Sequence, residues 1–165
     1  MGAPRARRSG RRGATLTVST VPTKLARQQI AALRGKAKAS FLLAVEDIRR
    51  RGCAAAGVRL AGEALSGICR LDLYGTWRLL TVFEAPDRCV LLLVAEHTRS
   101  ANPYRLLYAA LGVDEPKEPR DKPSCCDAEG RPPIDPALVE RFERGLRDLG
   151  RVLPAGAGSP FRRRR

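Results

Sequence analysis

The sequence predicts an α+β protein in which an antiparallel sheet is covered on one face by an N-terminal helical hairpin. Three observations predict this class. Two stretches with apolar residues at helical spacing come early, three strand-like stretches joined by short turns follow, and a helix after a Pro-rich linker comes last. Helices gathered on one side of an antiparallel sheet form an α+β arrangement. The length, 165 residues, suits one domain with extensions.

The first elements are a strand and two helices. Residues 14–20 are short, β-branched and alternating, which predicts a strand. Apolar residues then recur at helical spacing in two stretches, interrupted at residues 34–36. Three arginines precede Gly52, and basic residues in a last turn followed by glycine are typical of a helix end. Two helices with so short a break predict a helical hairpin.

Three strands follow, joined at Gly75-Thr76 and at residues 85–87. The last of them is apolar throughout residues 90–94, which predicts a central strand buried on both faces. A two-residue loop at Gly75-Thr76 would place Leu73 opposite Arg78, on an apolar face. The other face would then be polar and aromatic and open to solvent, with these members: Arg70, Asp72, Tyr74, Trp77 and Thr81.

The C-terminal third predicts two further helices. Asn102 before Pro103 is a strong helix start, and Asp135 before Pro136 is another. Between these helices the Pro-rich, charged residues 114–134 predict a linker. The last helix has an apolar stripe that packs either on the domain or on a partner. The predicted organisation is a basic arm (1–13), a domain (14–113), the linker (114–134), a helix (135–150) and a basic tail (151–165).

The net charge of +14 is concentrated at the two ends of the chain. Nine arginines lie in residues 1–13 and 162–165, and the remainder has a net charge of +5. Such clusters are typical of disordered arms that attract phosphate backbones, or of solubilising tails. No stretch approaches the ~18 apolar residues of a membrane span, and no apolar signal-peptide core follows the first arginines. We expect a cytoplasmic protein that does not associate with membranes.

The five cysteines predict neither a metal site nor a disulfide framework. Cys53, Cys69 and Cys89 are isolated in apolar surroundings and are interpreted as small buried residues. Cys125 and Cys126 are adjacent in the linker, with no C-x-x-C pattern or nearby histidine that would indicate zinc. The odd number fits a reducing cytoplasm. No metal, other cofactor or small-molecule ligand is expected.

Three patterns in residues 14–111 resemble the RelE/ParE toxin superfamily of bacterial toxin–antitoxin modules, most closely its RelE-like mRNA interferases. They are "GVRLAGEALSGICRLDLY", the turn and strand start "GTWRLLTVF", and "LLLVAEHTRSANPY". The resemblance implies a RelE-like fold and a metal-independent endoribonuclease that cuts mRNA on the ribosome and inhibits translation. It also implies a cognate antitoxin protein as partner. Residues beyond Asp114 lie outside the resemblance.

Seven residues are candidates for roles in such an enzyme, five through the resemblance and two, Tyr74 and Trp77, because aromatic rings can stack on bases. In RNA cleavage the 2′-OH attacks the neighbouring phosphate, so an enzyme must move protons and stabilise negative charge. Arginine suits charge stabilisation, whereas histidine, tyrosine or lysine suits proton transfer. The catalytic candidates are Arg78, His97, Arg99 and Tyr104, and the RNA-binding candidates are Arg70, Tyr74 and Trp77.

Acidic neighbours depart from the family pattern. Asp72 lies close to Arg70, and Glu96 precedes His97, where a small or basic residue is expected. Two other functions therefore stay open. One is a ParE-like, non-enzymatic inhibitor of DNA gyrase, and the other is a non-toxic RNA- or ribosome-binding protein with the same fold.

Overall fold

A computed structural model describes residues 17–117 and 122–152. The predicted basic arm and almost all of the basic tail lie outside these ranges. The helices and strands are β1 (Ser19–Pro22), α1 (Lys24–Ala32), α2 (Gly35–Arg51), β2 (Val58–Arg59), β3 (Ile68–Asp72), β4 (Trp77–Ala85), β5 (Arg88–Glu96), α3 (Pro103–Leu111) and α4 (Pro136–Val152). The α+β class is confirmed. No helix in the described part of the chain has the length and apolar character that a membrane crossing requires.

The five strands form one sheet in the order β1-β5-β4-β3-β2. The sheet is mixed, because β1 runs parallel to β5 while the other neighbours are antiparallel. The prediction of a wholly antiparallel sheet was therefore wrong. The two helices between β1 and the later strands return the chain to the end of the sheet at which it began, which gives the parallel pairing. The first strand also begins later than predicted, at Ser19.

Two layers of helix cover the two faces of this sheet. On the hairpin face, buried side chains of α1 and α2 such as Phe41 and Ile48 share a core with Leu79 and Phe83 of β4. On the opposite face, which we call the C-terminal face, α3 and α4 pack on a second core. Strand β5 contributes to both cores and is buried from Cys89 to Ala95, as its apolar sequence predicts.

The start of each C-terminal helix agrees with the sequence. The Asn102 side chain accepts a hydrogen bond from the Tyr104 N–H at 3.0 Å, and Pro103 follows it. The Asp135 side chain accepts one from the Leu138 N–H at 3.1 Å. The apolar stripe of α4 folds back on the domain, where Leu138 and Phe142 are fully buried.

The turn between β3 and β4 differs from the two-residue loop that the sequence predicts. The Leu73 N–H donates to the Trp77 carbonyl at 2.9 Å, so these two residues face each other across three loop residues. Gly75 has φ +62°, a conformation that disfavours other residues and lets the chain reverse here. The register that follows pairs Asp72 with Arg78. Arg78 thus lies on the same face as Arg70, not on the face of Leu71 and Leu73.

The cysteines form two disulfides that the sequence analysis did not predict. Cys53, after α2, is bonded to Cys126, and Cys69, in β3, is bonded to Cys125. Cys89 is the one free cysteine, and burial raises the pKa of its thiol to about 12. The interpretation of Cys53 and Cys69 as unpaired residues was wrong, because their partners lie 73 and 56 residues further along the chain.

We expect a single thiol in the oxidised native protein, and that thiol should resist alkylation until the chain unfolds. Each disulfide closes a long loop and should contribute about 2–4 kcal/mol to the free energy of unfolding. Mass spectrometry after iodoacetamide treatment, with and without denaturant, tests the first point. Denaturant unfolding with and without reductant tests the second. Alkylation of Cys125 or Cys126 in the native oxidised protein would contradict the pairing.

The contact between α3 and α4 depends on Gly145. A Cβ at this position would overlap the backbone carbonyl of Ala110. Gly145→Ala should therefore displace α4 and lower the free energy of unfolding by about 1–3 kcal/mol. Gly150 lies in the same helix with open space around it, so Gly150→Ala should be stabilising by roughly 0.5–1 kcal/mol through helix propensity. Thermal unfolding should show a lower Tm for Gly145→Ala and a higher Tm for Gly150→Ala than for the wild type. Equal changes in Tm would contradict this packing.

Candidate functional site

The candidate site lies at the end of the sheet where β3 meets β4. Arg70 and Asp72 point to the C-terminal face from β3, and Arg78 joins them from β4 through its pairing with Asp72. The nitrogen atoms Nε of Arg70 and Nε of Arg78 lie 3.0 and 3.1 Å from Oδ1 of Asp72. One carboxylate thus holds two guanidinium groups side by side.

The two arginines differ in how their hydrogen bonds are satisfied. Nη1 of Arg78 donates to the backbone carbonyls of Gly75 and Trp77, at 3.2 and 2.8 Å, which fixes the side chain against its own turn. Nη2 of Arg70 donates to Asp72 at 3.3 Å, and its buried Nε lies 3.0 Å from the same carboxylate without the alignment of a hydrogen bond. Asp72 is therefore the partner of the Arg70 guanidinium.

His97 is brought to the same end of the sheet by the pairing of β4 with β5. Trp77 faces Glu96 across these strands, so His97 follows directly beside the β3–β4 turn. Its backbone N–H donates to the Thr76 carbonyl at 2.8 Å, which anchors it there. Its ring meets the ring of Tyr104 edge to face, with the two centroids 5.1 Å apart. The His97 imidazole is thus the point at which the β3–β4 turn, the end of β5 and the start of α3 meet.

The surroundings of His97 favour its neutral form. Partial removal from water lowers the pKa of His97 below its usual 6.5, and the positive charges of Arg78, Arg70 and Lys122 lower it further. A neutral imidazole beside two guanidinium groups can accept a proton while the cations stabilise an anion. This arrangement offers a general base and an anion-binding group within one small region.

Tyr104 and His97 both line a cavity of about 490 Å³ on the C-terminal face. Its buried hydroxyl has no hydrogen-bond partner within the described ranges. The cavity is lined by apolar, aromatic and charged side chains, among them His97, Tyr104, Tyr108, Glu115, Lys117 and Lys122. The hydroxyl is thus a buried polar group without a partner, in a side chain that lines this cavity.

The structure gathers four of the seven predicted residues and leaves three apart. Arg70, Arg78, His97 and Tyr104 lie at one corner. Trp77 packs against the core of the hairpin face, and Tyr74 stands on that side with the Lys36 ammonium 5.3 Å from its ring centre. Arg99 is exposed in the loop after β5. The predicted shared face of Arg70, Tyr74 and Trp77 was wrong, because the three-residue loop reverses the parity of Trp77 in β4 and itself contains Tyr74.

Lys122 is the residue that the sequence analysis missed. It lies in the stretch interpreted as a linker, 25 positions beyond His97, and no local pattern there indicates a site. The disulfides at Cys125 and Cys126 attach the chain to the domain three and four residues after it. Those bonds were not predicted from the sequence either.

Metal-binding geometry is not found in the residues that the structure describes, since no three His, Cys, Asp or Glu side chains are grouped as ligands. The groups assembled at the site are instead guanidinium, imidazole, phenol and ammonium. These are groups that bind anions and transfer protons.

Comparison with known proteins does not by itself show the family or the function of this chain. No protein-family model matches the chain, and no curated protein does. Among solved structures, the chain is similar to a chain in the toxin–antitoxin complex RelBE2 from Mycobacterium tuberculosis. The two are 24% identical, the match covers 49% of this chain and 99% of that one, and the TM-score is 0.37. A TM-score of this size does not establish a common fold.

We expect His97 to titrate below pH 6.5, and Arg78→Ala to raise its pKa towards that value because one repelling charge is removed. His97 is the only histidine, so its ring protons give isolated signals in an NMR pH titration. Arg88→Ala, which removes an arginine at the opposite end of β5, is the matched control and should leave the titration unchanged. A pKa that Arg78→Ala does not raise would contradict the placement of Arg78 beside His97.

Proposed function

We propose that this chain is a RelE-like toxin of a bacterial type II toxin–antitoxin module, acting as a metal-independent endoribonuclease on ribosome-bound mRNA. The observation that supports it most is the convergence of Arg70, Arg78, His97 and Tyr104 at one corner of the sheet. All four lie in the patterns that resemble the RelE-like enzymes. The partners in this proposal are mRNA on the ribosome and a cognate antitoxin.

In the proposed reaction, His97 is the general base. Its neutral imidazole takes the proton of an RNA 2′-OH, and the 2′ oxygen forms a bond to the adjacent phosphorus. The bond from phosphorus to the 5′ oxygen breaks, which leaves a 2′,3′-cyclic phosphate and a 5′-OH. The leaving oxygen takes a proton from Tyr104, whose hydroxyl has no acceptor in the described part of the chain. Positioned proton transfer of this kind contributes about 10²–10⁴-fold to a rate.

Arg70 and Arg78 stabilise the extra negative charge on the phosphate. Their side chains are only 18% and 19% exposed, so their charges are less screened than those of surface arginines. Asp72 is 56% exposed and holds both, and exposed ion pairs of this type contribute only about 0–1 kcal/mol. A phosphate can therefore replace Asp72 as the partner, because a dianionic transition state attracts the two cations more strongly.

Arg78→Ala should abolish growth inhibition and lower mRNA cleavage at least about 10²-fold, since it removes a charge-stabilising donor. Arg88→Ala is the matched control, because Arg88 is an exposed strand-end arginine paired with Glu84 far from the site. The measurement is primer extension on a defined mRNA, incubated with purified protein with and without translating ribosomes. Thermal unfolding of both variants shows that the fold is retained.

The pattern of cuts decides the proposal. Cuts that require ribosomes, persist in Arg88→Ala and vanish in Arg78→Ala would support it. An uncut message with folded wild-type protein would overturn it, as would a fully toxic Arg78→Ala variant. Intact mRNA together with DNA damage in producing cells would indicate inhibition of gyrase instead.

A further inference from the structure

Residues 122–134, which we call the tethered segment, are attached along their length to the domain. The Arg59 N–H donates to the Pro123 carbonyl at 2.7 Å, and Nε of Arg59 donates to the Ser124 carbonyl at 3.0 Å. Ser124 also forms a β-bridge with Val58. The two disulfides follow at the next two positions. Covalent and hydrogen-bonded anchors therefore begin one residue after Lys122.

These anchors place Lys122 at the cavity beside His97. The cavity is lined by Lys117 and Lys122 together with His97 and Tyr104. The charge of Lys122 acts on His97 in the same direction as those of Arg78 and Arg70. Glu115 also lines the cavity, but it lies 4.0 Å from Arg105, which offsets its charge. The cavity thus adds lysine side chains to the cationic corner on the C-terminal face.

We propose that Lys122, held by the tethered segment, binds an RNA backbone phosphate next to the one that is cleaved. This rests on the proposed function, and it adds a binding residue from a part of the chain that lies outside the resemblance to RelE-like enzymes. A lysine ammonium is a compact charge that suits a neighbouring phosphate, whereas the paired arginines suit the reacting one. The cavity gives such a strand a path from His97 towards Lys122.

The disulfides position this lysine. Cys125 and Cys126 lie three and four residues after Lys122, and their partners belong to β3 and to the turn after α2. Without these bonds, the β-bridge and the two hydrogen bonds of Arg59 are the remaining local anchors. Reduction should therefore remove Lys122 from the site while leaving the Arg70, Arg78 and His97 cluster, whose other contacts are with the sheet, its turns and Tyr104.

The test uses His97 as a reporter of site occupancy. A short RNA with a 2′-deoxy sugar at the cut position is titrated into the full-length protein while the His97 ring signals are followed by NMR. The His97 ring signals do not report RNA that is bound elsewhere, for example by terminal arginines. Lys122→Ala should weaken the binding roughly five-fold and reduce the magnitude of its salt slope by about 0.7, the value for one phosphate contact on a single strand. Lys38→Ala, at an exposed position on α2, is the matched control.

The same NMR signals, recorded without RNA, test whether Lys122 lies near His97. Lys122→Ala and reduction of the wild type should both raise the pKa of His97, whereas Lys38→Ala should not change it. Reduction should weaken RNA binding in the wild type and should have no further effect in Lys122→Ala. Such non-additivity is expected only if the bonds act through this lysine.

The outcomes separate the two proposals. If RNA does not perturb His97 in the wild type, the proposed function fails, and this inference fails with it. If RNA perturbs His97 equally in the wild type and in Lys122→Ala, only the role of Lys122 is overturned. An unchanged pKa of His97 in Lys122→Ala would also overturn it.

Discussion

The pairing of Leu73 with Trp77 is the constraint on which the candidate site depends. Adjacent residues of a strand point to opposite faces, so a change of one residue in this register would move Arg78 to the other side of the sheet. With the observed register, Arg78 joins Arg70 on the C-terminal face and lies near His97. Gly75 permits this register, because its positive φ closes the three-residue loop.

A second constraint is the distribution of charge around the site. Asp72 holds two arginines in place in the absence of substrate, and it is more exposed than either of them. The arginines are therefore positioned before a phosphate arrives, which reduces the cost of ordering them when it binds. The acidic residue that weakened the sequence-based case for RNA binding acts in this structure as a positioning group.

Local chemistry made much of the fold predictable from the sequence. The helix starts at Asn102 and Asp135 and the buried strand β5 follow from capping and from apolar patterning, which involve neighbouring residues only. The register of the β3–β4 turn was not predictable in this way, because a glycine fits both two- and three-residue loops. With the three-residue loop that the structure has, Trp77 packs against the hairpin face.

The disulfides and the position of Lys122 show a second reason why prediction from the sequence was incomplete. Cys53 and Cys69 gave no local signal of their partners, which lie in a Pro-rich stretch with no periodic pattern. The parallel pairing of β1 with β5 similarly joins segments about 70 residues apart. Contacts at such separations are set by the packing of the whole chain, so a reading of local patterns does not detect them.

The central claim is that the Arg70, Arg78, His97 and Tyr104 corner promotes attack of an RNA 2′-OH on the adjacent phosphate. The most direct test is to determine the ends of mRNA fragments produced on the ribosome, using a message with a single 2′-deoxynucleotide at the cut site as the comparison. The account predicts 2′,3′-cyclic phosphate and 5′-OH ends, and no cut at the substituted position. A cut that survives the 2′-deoxy substitution, or fragments with 3′-OH ends, would contradict it.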